Sequence, residues 1–292
     1  MSISSQITPE PEQPVVPVIE VEAPKEADQP SPTVTTQPVE PAPVKSQYEQ
    51  ITDALLKSIG DIGAKSKFKI LIYGDPGTGK STFLGTSPNN LIYSFEDGLV
   101  SINTASRPKA ENVQEIPFKS NYQAEVLMER LLANDPAFDK WSTFSVDTLS
   151  DYHKRTLSEI TEREWQKQPS RNRYVPVTED YVEANRKMEN LARQLRDLDR
   201  DIIVLAHAKT VEPKNKPAKI YPDFSESLAN KIEAMMDIVG YMSMQEVDGK
   251  LVPVLRVTTE GTIHAKTRVP LPPEIIDPTF PQLKEIWMKH CA

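Results

Sequence analysis

The feature that most constrains this chain is a glycine-rich segment, GDPGTGKS, at residues 74–81. It satisfies the pattern GxxxxGK[ST], and it lies between a short apolar run, KFKILIY (67–73), and a predicted helix. Such a loop turns its backbone N–H groups and the positive end of the next helix toward phosphate oxygens. Three of the chain's ten glycines lie in this segment, so a turn that merely connects strand to helix is the weaker interpretation. The segment predicts an α/β domain that binds a nucleotide.

The whole loop, a Walker A motif, is expected to contact the phosphates of a nucleotide. The predicted cofactor-binding residues are Gly74, Asp75, Pro76, Gly77, Thr78, Gly79, Lys80, Ser81 and Thr82. Lys80 would hold the β- and γ-phosphates, and the Ser81 hydroxyl would bind Mg²⁺. Such a metal site also needs a carboxylate at the end of a neighbouring buried strand, and Asp147 follows the run FSV. The alternative is that Asp147 only caps the helix that begins near Leu149.

Two further residues are predicted to take part in the chemistry. The residue after the magnesium carboxylate is Thr148, which is not an acid, so the group that activates water must come from elsewhere. Glu96 ends the second predicted strand and is the candidate, with Asp97 as the fallback and an ordinary solvated turn as the alternative. His207 follows the apolar strand 202–206, where ligands of parallel sheets bind, so we expect it to sense the γ-phosphate. The alternative for His207 is a hydrogen-bonded core histidine.

Two stretches combine basic and aromatic side chains in the way that suits single-stranded nucleic acid. The stretch that follows His207 is predicted to be a loop at 209–224, and it contains Lys209, Lys214, Lys216, Lys219 and Tyr221. The stretch that follows the helix ending near residue 165 contains Lys167, Arg171, Arg173 and Tyr174. The formal net charge of −8 excludes a globally basic nucleic-acid coat, so any binding would be local. The alternative is that these charges only form a solvated face.

The apolar pattern along the chain predicts the fold class. Strand-like runs occur at 67–73, 90–95, 113–118, 142–146 and 201–206, and helical patterns occur at 123–132, 149–165 and 179–198. Strands that alternate with helices predict a mostly parallel sheet flanked by helices on both faces. After residue 236, alternating segments at 238–247, 251–258 and 262–267 predict an antiparallel hairpin extension, with its first turn at Asp248 and Gly249.

The N-terminal part of the chain differs in composition from the rest. Ten prolines and no aromatic residue lie between Pro9 and Pro43, so we predict a disordered acidic tail at 1–46 and one domain at 47–292. The domain would begin with a short helix within 47–66. The chain shows no secretory leader and no apolar run near the ~20 residues of a membrane span. With a lone cysteine, Cys291, these features predict a cytoplasmic protein without a membrane partner.

The order of these parts resembles the RecA-like ATPase core. More narrowly, the chain is similar to the phage nucleotide-binding proteins that include RecA-like single-strand annealing ATPases. The resemblance covers about residues 65–270 and is carried by GDPGTGKST (74–82), YSFEDG (93–98), FSVDT (144–148), LAHAK (205–209) and HAKTR (264–268). It implies a homo-oligomer with ATP at subunit interfaces, where Lys266 and Arg268 match basic fingers that reach the neighbour's γ-phosphate. The alternative for these two residues is a solvated edge strand.

The resemblance also implies a function, namely Mg²⁺-dependent ATP hydrolysis and single-stranded DNA binding in phage recombination or replication. A single-strand-binding protein is a further implied partner. The chain shows no separate polymerisation or DNA-gathering domain, so long strand-exchange filaments are not expected. One rival is a ring helicase or packaging-type motor, and another is a nucleotide-gated scaffold or loader with little hydrolysis. A GTPase is disfavoured because the run NKPA (215–218) lacks the aspartate of the guanine-reading motif, and no acceptor site for a small-molecule kinase is visible.

Overall fold

The computed structural model describes residues 67–96, 98–104, 109–212 and 217–291. The predictions for the tail at 1–46 and for the short helix within 47–66 lie outside these residues. So do those for Asp97, Lys214 and Lys216.

The described residues contain ten strands, seven α-helices and a short 3₁₀ helix at Pro136–Phe138. The strands are β1 (Lys69–Gly74), β2 (Asn90–Ser94), β3 (Val113–Pro117), β4 (Thr143–Asp147), β5 (Asp201–Val211), β6 (Lys219–Pro222), β7 (Ile238–Val247), β8 (Lys250–Arg256), β9 (Lys266–Thr267) and β10 (Glu274–Ile276). The helices are α1 (Lys80–Leu84), α2 (Val100–Thr104), α3 (Asn121–Leu132), α4 (Leu149–Lys167), α5 (Thr178–Asp197), α6 (Glu226–Met235) and α7 (Phe280–Cys291). Among these helices, none has an apolar stretch long enough to cross a membrane.

The strands form a sheet in the order β10-β8-β7-β1-β5-β4-β2-β3. The run from β7 to β3 is parallel throughout, whereas β8, β9 and β10 add to one side by antiparallel pairing. The architecture confirms the predicted α/β fold class, with a mostly parallel sheet, flanking helices and an antiparallel extension. The phosphate loop follows β1, which lies in the middle of the sheet.

Both faces of the sheet are covered, which explains the continuous apolar runs in its central strands. Successive side chains of a strand point to opposite faces. On β1, Leu71 and Tyr73 accordingly join the core formed with α3 to α6, while Ile70 and Ile72 join the core formed with α1 and α7. All four side chains are fully buried. The strand that leads into the phosphate loop is therefore packed between two apolar cores, one on each face of the sheet.

The hairpin of β7 and β8 turns at Asp248 and Gly249, as predicted, with φ of 53° and 74°. These two positive φ values are those of a type I′ turn, which matches the twist of the flanking strands. Elsewhere the C-terminal prediction was only partly right. In 262–267 only β9 (Lys266–Thr267) is a strand, and the sequence pattern did not predict α6, α7, β6 or β10.

The stretch after His207 differs most from its prediction. It was expected to be a loop, but β5 continues to Val211 and pairs antiparallel with β6, so that Ala208–Val211 face Lys219–Pro222. The β-branched and aromatic residues of this region, such as Thr210, Ile220 and Tyr221, favour extended backbone and explain the pairing. We call residues 208–211 and 219–222 the β5–β6 ribbon.

Candidate functional site

The predicted nucleotide-binding residues meet at one edge of the sheet. In the strand register, Gly74 at the end of β1 lies beside His207 on β5, and Ser94 at the end of β2 lies beside Asp147 at the end of β4. Because the strands are parallel, the side chains that follow them converge. A cavity of about 360 Å³ lies there, and it is lined by Lys80, Ser81, Thr82, Glu96, Asp147 and His207, with Pro76, Gly77 and Gly79 of the loop.

The lysine of the phosphate loop is hydrogen-bonded to the backbone of the same loop. The Lys80 ammonium donates hydrogen bonds to the backbone carbonyls of Gly74 and Asp75, both at 2.8 Å. The Thr78 hydroxyl donates to the Asp75 carbonyl, also at 2.8 Å. Gly77 and Gly79 have φ of 78° and 91°, a backbone conformation that residues with a side chain seldom adopt. Burial lowers the pKa of Lys80, although the nearby carboxylates, Asp147 first, oppose the shift.

Ser81 and Asp147 form a pair of oxygen ligands that fits Mg²⁺. The Ser81 hydroxyl, on the first turn of α1, donates to the Asp147 carboxylate at 2.8 Å. Neighbouring ligands of a six-coordinate Mg²⁺ lie ~3 Å apart, so one ion could bind both oxygens without rearrangement of the strands. Asp147 is only 2% exposed, and burial raises its pKa to about 6 against the opposing Ser81 hydrogen bond. The negative charge of Glu96 adds to this rise.

The raised pKa of Asp147 predicts that Mg²⁺-dependent ATP binding weakens in acid. Below pH about 6 the carboxyl group is increasingly protonated in the free protein and loses the charge that attracts the cation. We expect the apparent affinity for Mg²⁺ to fall by up to about tenfold for each pH unit below that value. Titration with a fluorescent ATP analogue at several pH values measures it. The Asp147→Asn variant should bind weakly and lose the part of the pH dependence that belongs to this carboxyl group. An acid-dependent loss of the wild-type size in this variant would contradict the assignment.

A second group of polar side chains lies around His207, which lines the same cavity. The His207 Nε2 atom lies 2.8 Å from a carboxylate oxygen of Glu96 and 2.8 Å from one of Asp151. The Thr148 hydroxyl donates to a carboxylate oxygen of Asp151 at 2.5 Å, and its oxygen also lies 3.1 Å from a carboxylate oxygen of Glu96. Hydrogen bonds to Asp151 first, and then to Glu96, raise the pKa of His207 to about 9. His207 is therefore an imidazolium at neutral pH, held between two carboxylates.

Asp151 is a site residue that the sequence analysis missed. It lies in the first turn of α4, and its backbone N–H donates to the hydroxyl of Thr148, the N-cap residue. Burial would raise the pKa of its carboxyl group, but hydrogen bonds, from His207 first, hold that pKa well below its usual range. The T-x-x-D spacing at 148–151 is a helix-start signal, which is how it could have been found. That signal identifies the helix but not the distant histidine.

The predicted finger residues lie away from this cavity and bind the end of α6. Lys266 donates its ammonium to the backbone carbonyl of Glu233 at 2.5 Å. Arg268 donates to the carboxylate of Asp237 at 3.0 Å and to the backbone carbonyl of Ala234 at 2.8 Å. Cations at the C-terminal end of a helix satisfy its free carbonyls and interact favourably with its dipole. Within this single chain, both residues therefore have a structural role.

The predicted nucleic-acid residues fall on two surfaces. On the β5–β6 ribbon, Lys219 is exposed and the Tyr221 ring lies 5.1 Å from the His264 ring, while Lys209 donates to the Phe224 carbonyl. The ribbon begins one residue after His207, on the same strand.

The second surface connects α4 to α5, and its cations are paired within the chain. Lys167 pairs with Glu164 at 2.8 Å, Arg171 with Asp180 at 2.5 Å and Arg173 with Glu162 at 2.7 Å. Tyr174 is 83% exposed. The phosphates of a nucleic acid would have to compete with these carboxylates for the cations. Of the two surfaces, the α4–α5 connection is therefore the less favourable for binding nucleic acid.

A family model described as "AAA domain" matches residues 66–269, a range that includes all the residues of the cavity. No curated protein matches the chain. One similar solved structure is a KaiC-like protein from the hyperthermophilic archaeon Pyrococcus horikoshii OT3, with 12% identity and a TM-score of 0.38, covering 72% of this chain and 89% of that one. Another is the flagellar accessory protein FlaH from Methanocaldococcus jannaschii, with 14% identity and a TM-score of 0.32, covering 72% and 84%.

Proposed function

The chain belongs to the AAA domain family, and we propose that it is a Mg²⁺-dependent ATPase that binds single-stranded DNA and acts in phage DNA recombination or replication. The observation that supports the link between the two activities is the continuity of β5. This strand carries His207 at the nucleotide cavity and continues directly into the β5–β6 ribbon. A movement of the ribbon when it binds DNA would therefore change the position of His207 at the cavity.

The proposed hydrolysis uses the groups that line the cavity. Lys80 exchanges its two carbonyl partners for the β- and γ-phosphates, and Ser81 with Asp147 holds Mg²⁺. The bound ion neutralises charge that develops on the phosphates. Glu96 accepts the proton of the attacking water. Of the two carboxylates that line the cavity in the described residues, it is the one not assigned to Mg²⁺. The imidazolium of His207 is attracted to the γ-phosphate, and contact with that phosphate would draw it away from Glu96.

The proposed DNA surface is the ribbon first and the α4–α5 connection second. Lys209 and Lys219 of the ribbon would contact phosphates, and Tyr221 would stack on a base. The sequence between the two strands adds Lys214 and Lys216 to the proposed phosphate contacts, although both lie outside the described residues. Lys167, Arg171, Arg173 and Tyr174 would extend the surface once their ion pairs open. We propose that the ribbon makes the larger contribution to DNA binding, because Lys219 is exposed there. On the α4–α5 connection, Arg171 and Arg173 each bind a carboxylate.

The proposal includes a homo-oligomer with ATP at the subunit interfaces. Lys266 and Arg268 would reach the neighbour's γ-phosphate after leaving the carbonyls at the end of α6. Annealing of complementary strands in the host cytoplasm, with a single-strand-binding protein as partner, is the proposed cellular role. A ring helicase or packaging-type motor would instead unwind a forked duplex, and a scaffold or loader would hydrolyse little ATP.

The first test is phosphate release from ATP with and without single-stranded DNA. We expect DNA to stimulate turnover in the wild type, and Lys80→Ala to remove both basal and stimulated turnover because the phosphates lose their main cation. Dilution should lower the turnover per subunit if the site is completed by a neighbour. A substantial rate that ignores DNA would contradict the DNA proposal, and a rate no higher than that of Lys80→Ala would favour the scaffold.

A further inference from the structure

Three potential metal ligands from three separate elements of the fold converge beside the cavity, which two of them line. Glu96 follows β2, Asp151 lies on the first turn of α4, and His207 lies on β5. One donor atom from each of them lies within 4.8 Å of the other two. The imidazole nitrogen lies 2.8 Å from each of the two carboxylate oxygens, close to the ~3 Å that separates ligands around a first-row metal ion. Small side-chain rotations would bring all three onto one ion.

The two carboxylates of this cluster match the charge of a divalent cation. The Lys154 ammonium also lies near them, 3.3 Å from a carboxylate oxygen of Asp151, but its side chain is 59% exposed. It can turn to solvent and leave both carboxylates to a metal ion. The side chains are half-buried, so solvent ions can reach them.

We propose that Glu96, Asp151 and His207 form a binding site for a transition-metal ion of the zinc class, separate from the Mg²⁺ site at Ser81 and Asp147. An imidazole nitrogen with two carboxylate oxygens is a donor set for Zn²⁺, and more weakly for Mn²⁺. Mg²⁺ prefers oxygen ligands alone and loses its water reluctantly, so it should stay at the serine and aspartate. The two sites therefore differ in chemistry as well as in position.

One consequence rests on the proposed function. A metal ion bound to Glu96 would occupy the carboxylate that is proposed to activate water, so zinc would inhibit ATP hydrolysis. Mg²⁺ in excess would not reverse this inhibition, because it would not compete for the imidazole. A chelator that removes zinc should reverse it.

The test is calorimetric titration of Zn²⁺ into the full-length, nucleotide-free protein with excess Mg²⁺ present. We expect the wild type to bind one ion, and both Asp151→Asn and His207→Gln to lose more than about 10-fold in affinity. Asp147→Asn is the control for the Mg²⁺ site. His264→Gln is the control for a histidine that lies 2.7 Å from one carboxylate, Glu233, outside this cluster. Both controls should bind zinc as the wild type does.

Two results would overturn the site. They are wild-type zinc affinity in both Asp151→Asn and His207→Gln, and no zinc binding to the wild type, which would leave the imidazolium as the occupant of the cluster. Thermal melting without zinc shows whether each variant is folded. Because the two variants lie on different elements, one of them still tests the site if the other does not fold. Zinc binding with this pattern in a protein that hydrolyses no ATP would uphold the site and contradict the proposed ATPase. Hydrolysis without zinc binding would do the reverse.

Discussion

Replacing Glu96 by glutamine is expected to lower the turnover of ATP by about 10²–10⁴-fold, the usual contribution of a general base. The amide has nearly the shape of the carboxylate but cannot accept a proton from water. ATP affinity should change little, because Lys80, Ser81 and Asp147 remain. Single-turnover hydrolysis and equilibrium binding of a fluorescent ATP analogue measure the two quantities separately.

Glu129→Gln is a matched control, since Glu129 is an exposed residue on α3. It should leave both quantities unchanged. If Glu96→Gln instead weakens ATP binding and leaves turnover intact, the residue acts on nucleotide binding, and another group must activate water. The same variant loses one carboxylate ligand of the proposed zinc site, so the assay is done with a chelator that removes zinc.

Gly74→Ala is expected to destabilise the protein by about 3 kcal/mol or more, the upper end of the cost of overpacking a core. A Cβ atom at this position would lie 2.2 Å from the backbone carbonyl oxygen of Met242 on β7. The clash is with backbone in the middle of the sheet, so no side-chain rotation can relieve it. Urea unfolding followed by circular dichroism measures the effect as a lower midpoint.

Gly77→Ala tests the cost of a positive φ in the phosphate loop without a steric clash. Gly77 has a φ of +78°, but a Cβ atom there would meet no atom within 4 Å among the described residues. The cost should be about 1–2 kcal/mol, that of a left-handed conformation for a residue with a side chain. If the two variants unfold at the same urea concentration, the close approach of β7 to the phosphate loop has no energetic consequence and the packing argument is wrong.

Local sequence determined the parts of this protein that depend on near neighbours in the chain. The spacing of glycines, Lys80 and Ser81 was enough to predict a loop between β1 and α1, because its conformation is set by φ and by adjacent N–H groups. The alternation of apolar runs predicted the central strands, and Asp248 with Gly249 predicted the hairpin turn, because both depend on short-range backbone preference.

Only the tertiary structure decided which distant side chains meet. Asp151 and His207 are 56 residues apart, and their contact depends on the pairing of β4 with β5 and on where α4 begins. The same holds for Lys266 and Arg268, which the family resemblance matched to fingers that reach a neighbour's γ-phosphate. In the single chain they bind the end of α6. The spacing of apolar residues predicts which face of a helix or strand is buried. The spacing of charged residues along the chain does not predict which of them will pair. The phosphate loop could therefore be predicted from sequence, but the cluster of Glu96, Asp151 and His207 could not.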